Sequence, residues 1–247
     1  MTVPDCRFEV PWLTTGQMRE VDRAMVEDYR IELIQMMENA GRNLARLAGV
    51  LFLGGDPVGK NVVVLAGSGG NGGGAMVSAR RLIGWGARVR VLLTKGAEKY
   101  GTVPSRQRKI LDRMGAPVDH VEDLAGVSSP DLIIDGIIGY SLKGAPRGRA
   151  ADMIRWANRS GVPVLALDTP SGVDASSGRV FDPAIRAAAT LTLALPKEGL
   201  RAERAREHVG DLYLADIGVP PELYAGPSLG LRVGYLFSDG DILRLRY

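Results

Sequence analysis

Apolar residues recur along this chain in two rhythms. After Thr14, Met18, Val21 and Met25 fall at i, i+3 and i+7, the spacing of one helical face, with Thr14 or Thr15 placed as the cap. From about Glu32 a wider stripe (Ile34, Met37, Ala40, Leu44, Leu47, Ala48, Leu51) predicts a second helix that ends near Gly54 and Gly55. The rhythm then changes. Asn61–Ala66 is a continuous, mostly β-branched run, as expected of a strand buried on both faces. A glycine-rich loop follows, then a helix over about Ala75–Trp85 and a strand over Arg88–Leu93. A helix over 103–114 and a short strand over 117–121 come next. Leu132–Ile134 predicts a buried strand ending in Asp135. A helix over 150–159 leads to a strand over Val162–Leu167 that ends in Asp168, and Thr190–Leu195 and Asp211–Leu214 predict later strands.

Strands and helices alternate through short connections. That pattern predicts an α/β fold with a mostly parallel, doubly wound sheet. Residues 1–13 lack periodicity and read as an irregular arm; 228–247 read as a strand-rich tail packed on a sheet edge. No internal repeat or linker divides the 247 residues, so a single domain over 1–247 is expected.

Composition narrows the function. One cysteine, Cys6, leaves no intramolecular disulfide and no Cys-rich zinc site, and two histidines, His120 and His208, make a His-based metal site improbable. Both read as surface or locally satisfied side chains. The net charge of +3 is spread along the chain with no block of five like charges, so nucleic acid is not an expected partner. There is no apolar run of 18 residues and no secretory leader, so no membrane partner is expected and the cytoplasm is the expected compartment.

In a doubly wound sheet, ligands bind beyond the carboxyl ends of the strands. Four such ends carry unusual residues: Gly67–Gly74, Asp135 with the glycines after it, Asp168–Asp174 and Pro196–Gly199. The glycine loop is the strongest signal. Without Cβ atoms its N–H groups can approach phosphate closely, and the next helix adds its dipole. It lacks the Gly-Lys-Ser/Thr ending of a P-loop. Gly67, Gly69 and Gly72 fit G-x-G-x-x-G, but the next strand ends in Leu92-Leu93-Thr94-Lys95 without an acid, which disfavours an ordinary dehydrogenase. An NADP-dependent reductase using Lys95 is a minor reading.

The series of motifs resembles the NAD(P)H-hydrate epimerase family, the YjeF N-terminal domain. Met36-Met37-Glu38-Asn39-Ala40-Gly41 resembles its Leu-Met-Glu-Asn-Ala-Gly motif, and Gln17-Met18 with Asp22 fits its first helix. The glycine loop resembles its Gly-Pro-Gly-Asn-Asn-Gly-Gly-Asp-Gly, with Gly70 and Gly74 standing where the family has Asn and Asp. Asp135 with Gly139–Ala145, Asp168-Thr169-Pro170-Ser171-Gly172, Pro196-Lys197 and Asp216-Ile217-Gly218 complete the series, from about Gln17 to Pro220.

The resemblance implies a three-layer α/β/α Rossmann-like fold, a homodimer, and epimerisation of the R and S forms of hydrated NADH or NADPH. It implies Asp168 as acid/base with Lys143 orienting or polarising. The hydrated dinucleotide would be bound by Gly70, Asn71, Gly72, Gly73 and Gly74, by Gly139, Tyr140, Ser141, Leu142, Lys143, Gly144 and Ala145, and by Asp168. It also implies a potassium ion on Asn71, Asp135 and Ser171. The dehydratase domain of some relatives is not expected here. The alternative, motivated by Gly70 and Gly74, is a non-catalytic nucleotide-binding or scaffolding member.

Overall fold

Buried β-branched and aliphatic runs form the centre, and their alternation separates two apolar layers. In β1 (Asn61–Ala66), Val62 and Val64 face one layer while Val63 and Leu65 face the other. The computed structural model describes residues 2–120, 124 and 130–246. Its sheet contains β1, β2 (Arg88–Leu93), β3 (Val118–Asp119), β4 (Leu132–Gly136), β5 (Val164–Leu167), β6 (Ala189–Leu193), β7 (Asp211–Ala215) and β8 (Ile242–Leu245). The order is β3-β2-β1-β4-β5-β6-β7-β8, parallel throughout except for β7 against β8.

Helices cover both faces. α2 (Leu33–Phe52), α3 (Gly70–Gly84) and α4 (Thr102–Arg113) pack with Val62, Val64 and Ile134, while α5 (Gly148–Arg159) packs with Val63, Ile133 and Ala166. A third cluster joins α1 (Thr15–Glu27), α6 (Arg206–Val209) and α7 (Pro221–Ala225) to β7 and β8. This is the expected three-layer α/β/α arrangement. α1 starts on a capping box: the Thr14 hydroxyl accepts from the Gln17 N–H, and the Gln17 side chain accepts from the Thr14 N–H.

Several boundaries differ from the sequence expectation. α3 starts at Gly70, inside the glycine run, rather than at Ala75. β5 starts at Val164, and β6 stops at Leu193 because Ala194 turns the chain with φ 61°. The tail contributes one strand, Ile242–Leu245, while residues 228–241 are turns and irregular chain. α7 is only five residues long, too short to show a periodicity. The short strand expected over 117–121 is β3, and residue 121 lies outside the described residues.

Sheet order reverses between β1 and β4, so the loops after these strands diverge and leave a crevice. The register sets Leu65 beside Asp135, and Asp135 beside Ala166. The ends of β1, β4 and β5 therefore lie level along one rim.

Candidate active site

At that rim lies a cavity of about 300 Å³, at the lower end of the range for small-molecule sites. Met18 and Asp22 of α1 and Leu33, Met36, Met37 and Ala40 of α2 form one wall. Gly70, Asn71 and Gly74 of α3, the Gly139-Tyr140-Ser141 loop, Leu167, Asp168, Leu193 and Ile217 form the rest. Met18, Met25, Met36 and Met37 are buried, and all but Met25 also line this cavity.

The glycine run is a packing device as much as a loop. A Cβ on Gly67 would lie 1.9 Å from the Ile137 carbonyl oxygen, and one on Gly72 would lie 1.8 Å from the Gly67 carbonyl oxygen. Backbone thus stacks on backbone three segments deep, joining the β4 loop to β1 and α3. Gly69 and Gly70 have open space where a side chain would be. Gly69 is the N-cap of α3 and supplies no side-chain cap. The first N–H groups of α3 therefore start at the cavity without a side chain over them, a favourable position for an anionic group.

Asp168 closes β5. It is buried and adopts φ 65°, a left-handed conformation that Asp tolerates better than most residues but that still carries strain. Its Oδ1 accepts a 2.5 Å hydrogen bond from Lys197 Nζ, and its Oδ2 accepts from the Tyr140 N–H at 3.1 Å. Lys197 is fully buried, and its ammonium also donates to the Leu193 carbonyl at 2.8 Å and to Thr192 Oγ1 at 3.3 Å. The N-terminal arm holds this segment. Leu13 donates to the Pro196 carbonyl and accepts from the Glu198 N–H.

Lys197 had appeared in the sequence only as part of a late motif, and it occupies the position expected of Lys143. Lys143 is exposed, in the turn after Ser141, and does not line the cavity. The loop reaches Asp168 through its backbone instead: a Cβ on Gly139 would lie 3.0 Å from Asp168 Oδ2, which accepts from the Tyr140 N–H, while Oδ1 is taken by Lys197. Leu142, Gly144 and Ala145 do not line the cavity, nor do Gly72, packed on the Gly67 backbone, and Gly73, packed on Met37. The remaining expected residues, Gly70, Asn71, Gly74, Gly139, Tyr140, Ser141 and Asp168, do line the cavity.

Asp135 is fully buried beneath the site. Its carboxylate accepts from Ser171 N–H at 2.8 Å, Ser171 Oγ at 2.7 Å and Ile137 N–H at 3.1 Å. Burial pushes its carboxyl up to about 6, against the pull of these donors. Asp135 and Ser171 thus pin the β5 loop to the β4 loop. Asn71 donates through Nδ2 to the Leu167 carbonyl at 3.2 Å, with its amide oxygen towards Gly139.

The sequence placed Asp22 in the first helix and Tyr140 in the dinucleotide loop, but did not join them or put Asp22 in the site. Asp22 lines the cavity from α1, and the Tyr140 hydroxyl donates to its carboxylate. Burial is the main cause raising the Asp22 carboxyl above its ordinary range, with Asp168 adding to it. The signal was present: Asp22 lies four residues after Met18, on the apolar face of α1. Of the histidines, His120 is exposed and His208 Nδ1 hydrogen-bonds the Ile185 carbonyl.

The chain matches the family model described as YjeF-related protein N-terminus over residues 33–199. A protein of Dehalogenimonas lykanthroporepellens named NAD(P)H-hydrate epimerase is 44% identical over 218 residues, 88% of this chain and 86% of that relative. One of the same name from Rhodopirellula baltica is 34% identical, covering 87% of this chain and 88% of the relative. The Bifunctional NAD(P)H-hydrate repair enzyme Nnr of Moorella thermoacetica is 35% identical over 90% of this chain, which spans 43% of that longer relative. Among solved structures, the yeast protein ynu0 shares the fold, with a TM-score of 0.79 at 24% identity, covering 96% of this chain and 100% of its own.

Proposed function

This chain belongs to the family of YjeF-related protein N-termini, and from that premise we propose that it is an NAD(P)H-hydrate epimerase. It interconverts the R and S forms of hydrated NADH or NADPH, a repair reaction for damaged nicotinamide nucleotides. The observation that carries the reading is Asp168, a buried carboxylate presented to a cavity and held on both oxygens, by Lys197 and by the Tyr140 N–H.

Inversion at C6 of the hydrated ring requires the C–O bond to break and re-form on the other face. A proton delivered to the hydroxyl lets the C–O electron pair leave with oxygen, as water. The N1 lone pair then forms an N1–C6 double bond. Water adds to C6 from the opposite face, the double-bond pair returns to N1, and a carboxylate takes the excess proton. Asp168 is one acid/base group for these transfers, worth on the order of 10²–10⁴ in rate. Lys197 fixes its orientation. Gly70 and Asn71, at the start of α3, receive the dinucleotide's phosphates, and the Gly139-Tyr140-Ser141 loop borders the ring. Incubating one separated hydrate in ¹⁸O-water tests the bond cleaved: each enzymatic inversion is expected to introduce one ¹⁸O at C6. Inversion with the original oxygen retained would contradict it.

The proposed potassium site fits the donors present. Asn71, Asp135 and Ser171 offer only oxygen atoms and a single carboxylate, a set suited to a hard, singly charged cation. Among the described residues, no group of three or more His, Cys, Asp or Glu side chains could hold a metal. When bound, the ion supplies one positive charge beside Asp135. The family reading carries with it a homodimer in the cytoplasm, as part of the same proposal. Among the described residues, no helix is long and apolar enough to cross a membrane.

Gly70 and Gly74, standing where the family has Asn and Asp, motivate one competing reading, a member that binds nucleotide without turnover. Gly74 decides between them. A Cβ there meets only the flexible end of Leu167, at 2.9 Å, and Ala40 at 4.0 Å, so Gly74→Asp is expected to fold. A carboxylate near the start of α3 interacts favourably with the helix dipole by about 0.3–1 kcal/mol. Because it restores the acid that the family motif carries at this position, the variant is expected to strengthen binding or turnover of the hydrate. A titration showing weaker binding with no gain in turnover would instead support the non-catalytic reading.

A further inference from the structure

Inversion through a planar ring carbon needs protons managed on both faces, and a single carboxylate serves only one of them. The cavity holds a second. Asp22 reaches it from α1, and Asp168 from β5. Tyr140 lies between them, its backbone N–H donating to Asp168 and its hydroxyl to Asp22, so one tyrosine's length separates two carboxylates facing one space. Their surroundings differ: Asp168 carries the Lys197 ammonium, while the Asp22 carboxylate is bonded to a neutral phenol.

Resting on the epimerase reading, we propose that Asp22 is the second proton-transfer group of this site, working as acid when Asp168 works as base and the reverse in the return direction.

Protonated Asp22 gives its proton to the C6 hydroxyl, and the C–O pair departs with oxygen as water. N1 forms the double bond to C6. Water approaching from the Asp168 side adds to C6, the π pair returns to N1, and the released proton passes to the Asp168 carboxylate. The enzyme ends with Asp22 ionised and Asp168 protonated, the form that acts on the opposite epimer. Proton exchange with solvent restores the starting form.

The groups facing Asp22 are consistent with this role. The Tyr140 hydroxyl donates to it, Asp168 and Lys197 act on it from across the cavity, and Tyr224 on α7 lies within electrostatic reach behind it. Arg19, on the same helix, acts on Tyr140. Burial favours the neutral acid, and the Tyr140 hydrogen bond opposes that. Two carboxyls in unlike surroundings, one beside an ammonium and the other beside a neutral phenol, suit an acid/base pair.

The test is kcat/KM against pH for interconversion of the separated hydrates. For wild type, the rate is expected to fall on the alkaline side as Asp22 loses its proton. Asp22→Asn is expected to lower kcat/KM at least about 10²-fold and to remove that limb, and Asp22→Glu to restore it. Tyr140→Phe removes a bond that favours ionised Asp22, so the limb should move to higher pH. Far-ultraviolet circular dichroism establishes that each variant is folded. A limb unmoved in Tyr140→Phe, or Asp22→Asn at the wild-type rate, overturns the role of Asp22 and leaves the epimerase reading standing. A wild-type protein that does not accelerate interconversion overturns both.

Discussion

Asp168→Asn is expected to lose at least about 10²-fold in epimerisation rate and, separately, to unfold more easily. The first loss follows from removing a titratable group positioned at the cavity. The second follows from Lys197. Its ammonium is fully buried and keeps only the Leu193 carbonyl and a long contact to Thr192 once the carboxylate is gone. Breaking a buried ion pair from one side costs about 3–5 kcal/mol, because the remaining charge is left uncompensated. Lys197→Met should cost a similar amount by stranding the carboxylate. The double variant Asp168→Asn/Lys197→Met removes both charges and should recover much of the lost stability while staying inactive. Urea unfolding of the four proteins measures the cycle. Additive losses in the double variant would mean the two groups are not paired as seen here.

Gly72→Ala carries the second large effect. Its new methyl would lie 1.8 Å from the Gly67 carbonyl oxygen, 2.6 Å from the carbonyl carbon and 2.7 Å from the Gly67 nitrogen. All three are backbone atoms of a residue itself pressed against Ile137, so no rotamer relieves the clash. The loop must open, at a cost of about 3 kcal/mol, the upper end for an overpacked site, and the start of α3 moves away from the cavity. Gly70→Ala is the control. It adds the same methyl to the same helix with nothing within 4 Å, and Ala is favoured over Gly in helices by up to about 1 kcal/mol. Denaturant midpoints should separate the two variants clearly. Equal stability would mean that the stacked glycines do not require their close approach.

The contrast between these glycines shows what sequence patterning could and could not reveal. β1, β4 and β5 were legible because a strand covered on both faces must be apolar throughout. Asp135 and Asp168 were legible because a carboxylate ending such a run stands out. The start of α3 was not. Glycine is a poor helix former, so Gly70–Gly74 reads as loop. The close packing of Gly72 on Gly67, and of Gly73 on the distant Met37, leaves room there for glycine alone.

Lys197 was illegible for a related reason. A lone lysine ordinarily reads as solvated, and its burial depends on Leu13 and Asp168, both distant in sequence. Lys143 was offered as the partner by the family resemblance, and it stands 25 residues from Asp168 where Lys197 stands 29 away. The Lys143 loop meets Asp168 through the Tyr140 N–H rather than through the Lys143 side chain, which is exposed.

The most direct measurement of the central claim is the rate at which purified protein interconverts the separated R and S hydrates of NADH and NADPH, followed from each epimer, with and without potassium. Catalysed approach to the same equilibrium from both sides, lost in Asp168→Asn, is the predicted result. Interconversion no faster than in protein-free buffer, with potassium present, would contradict it.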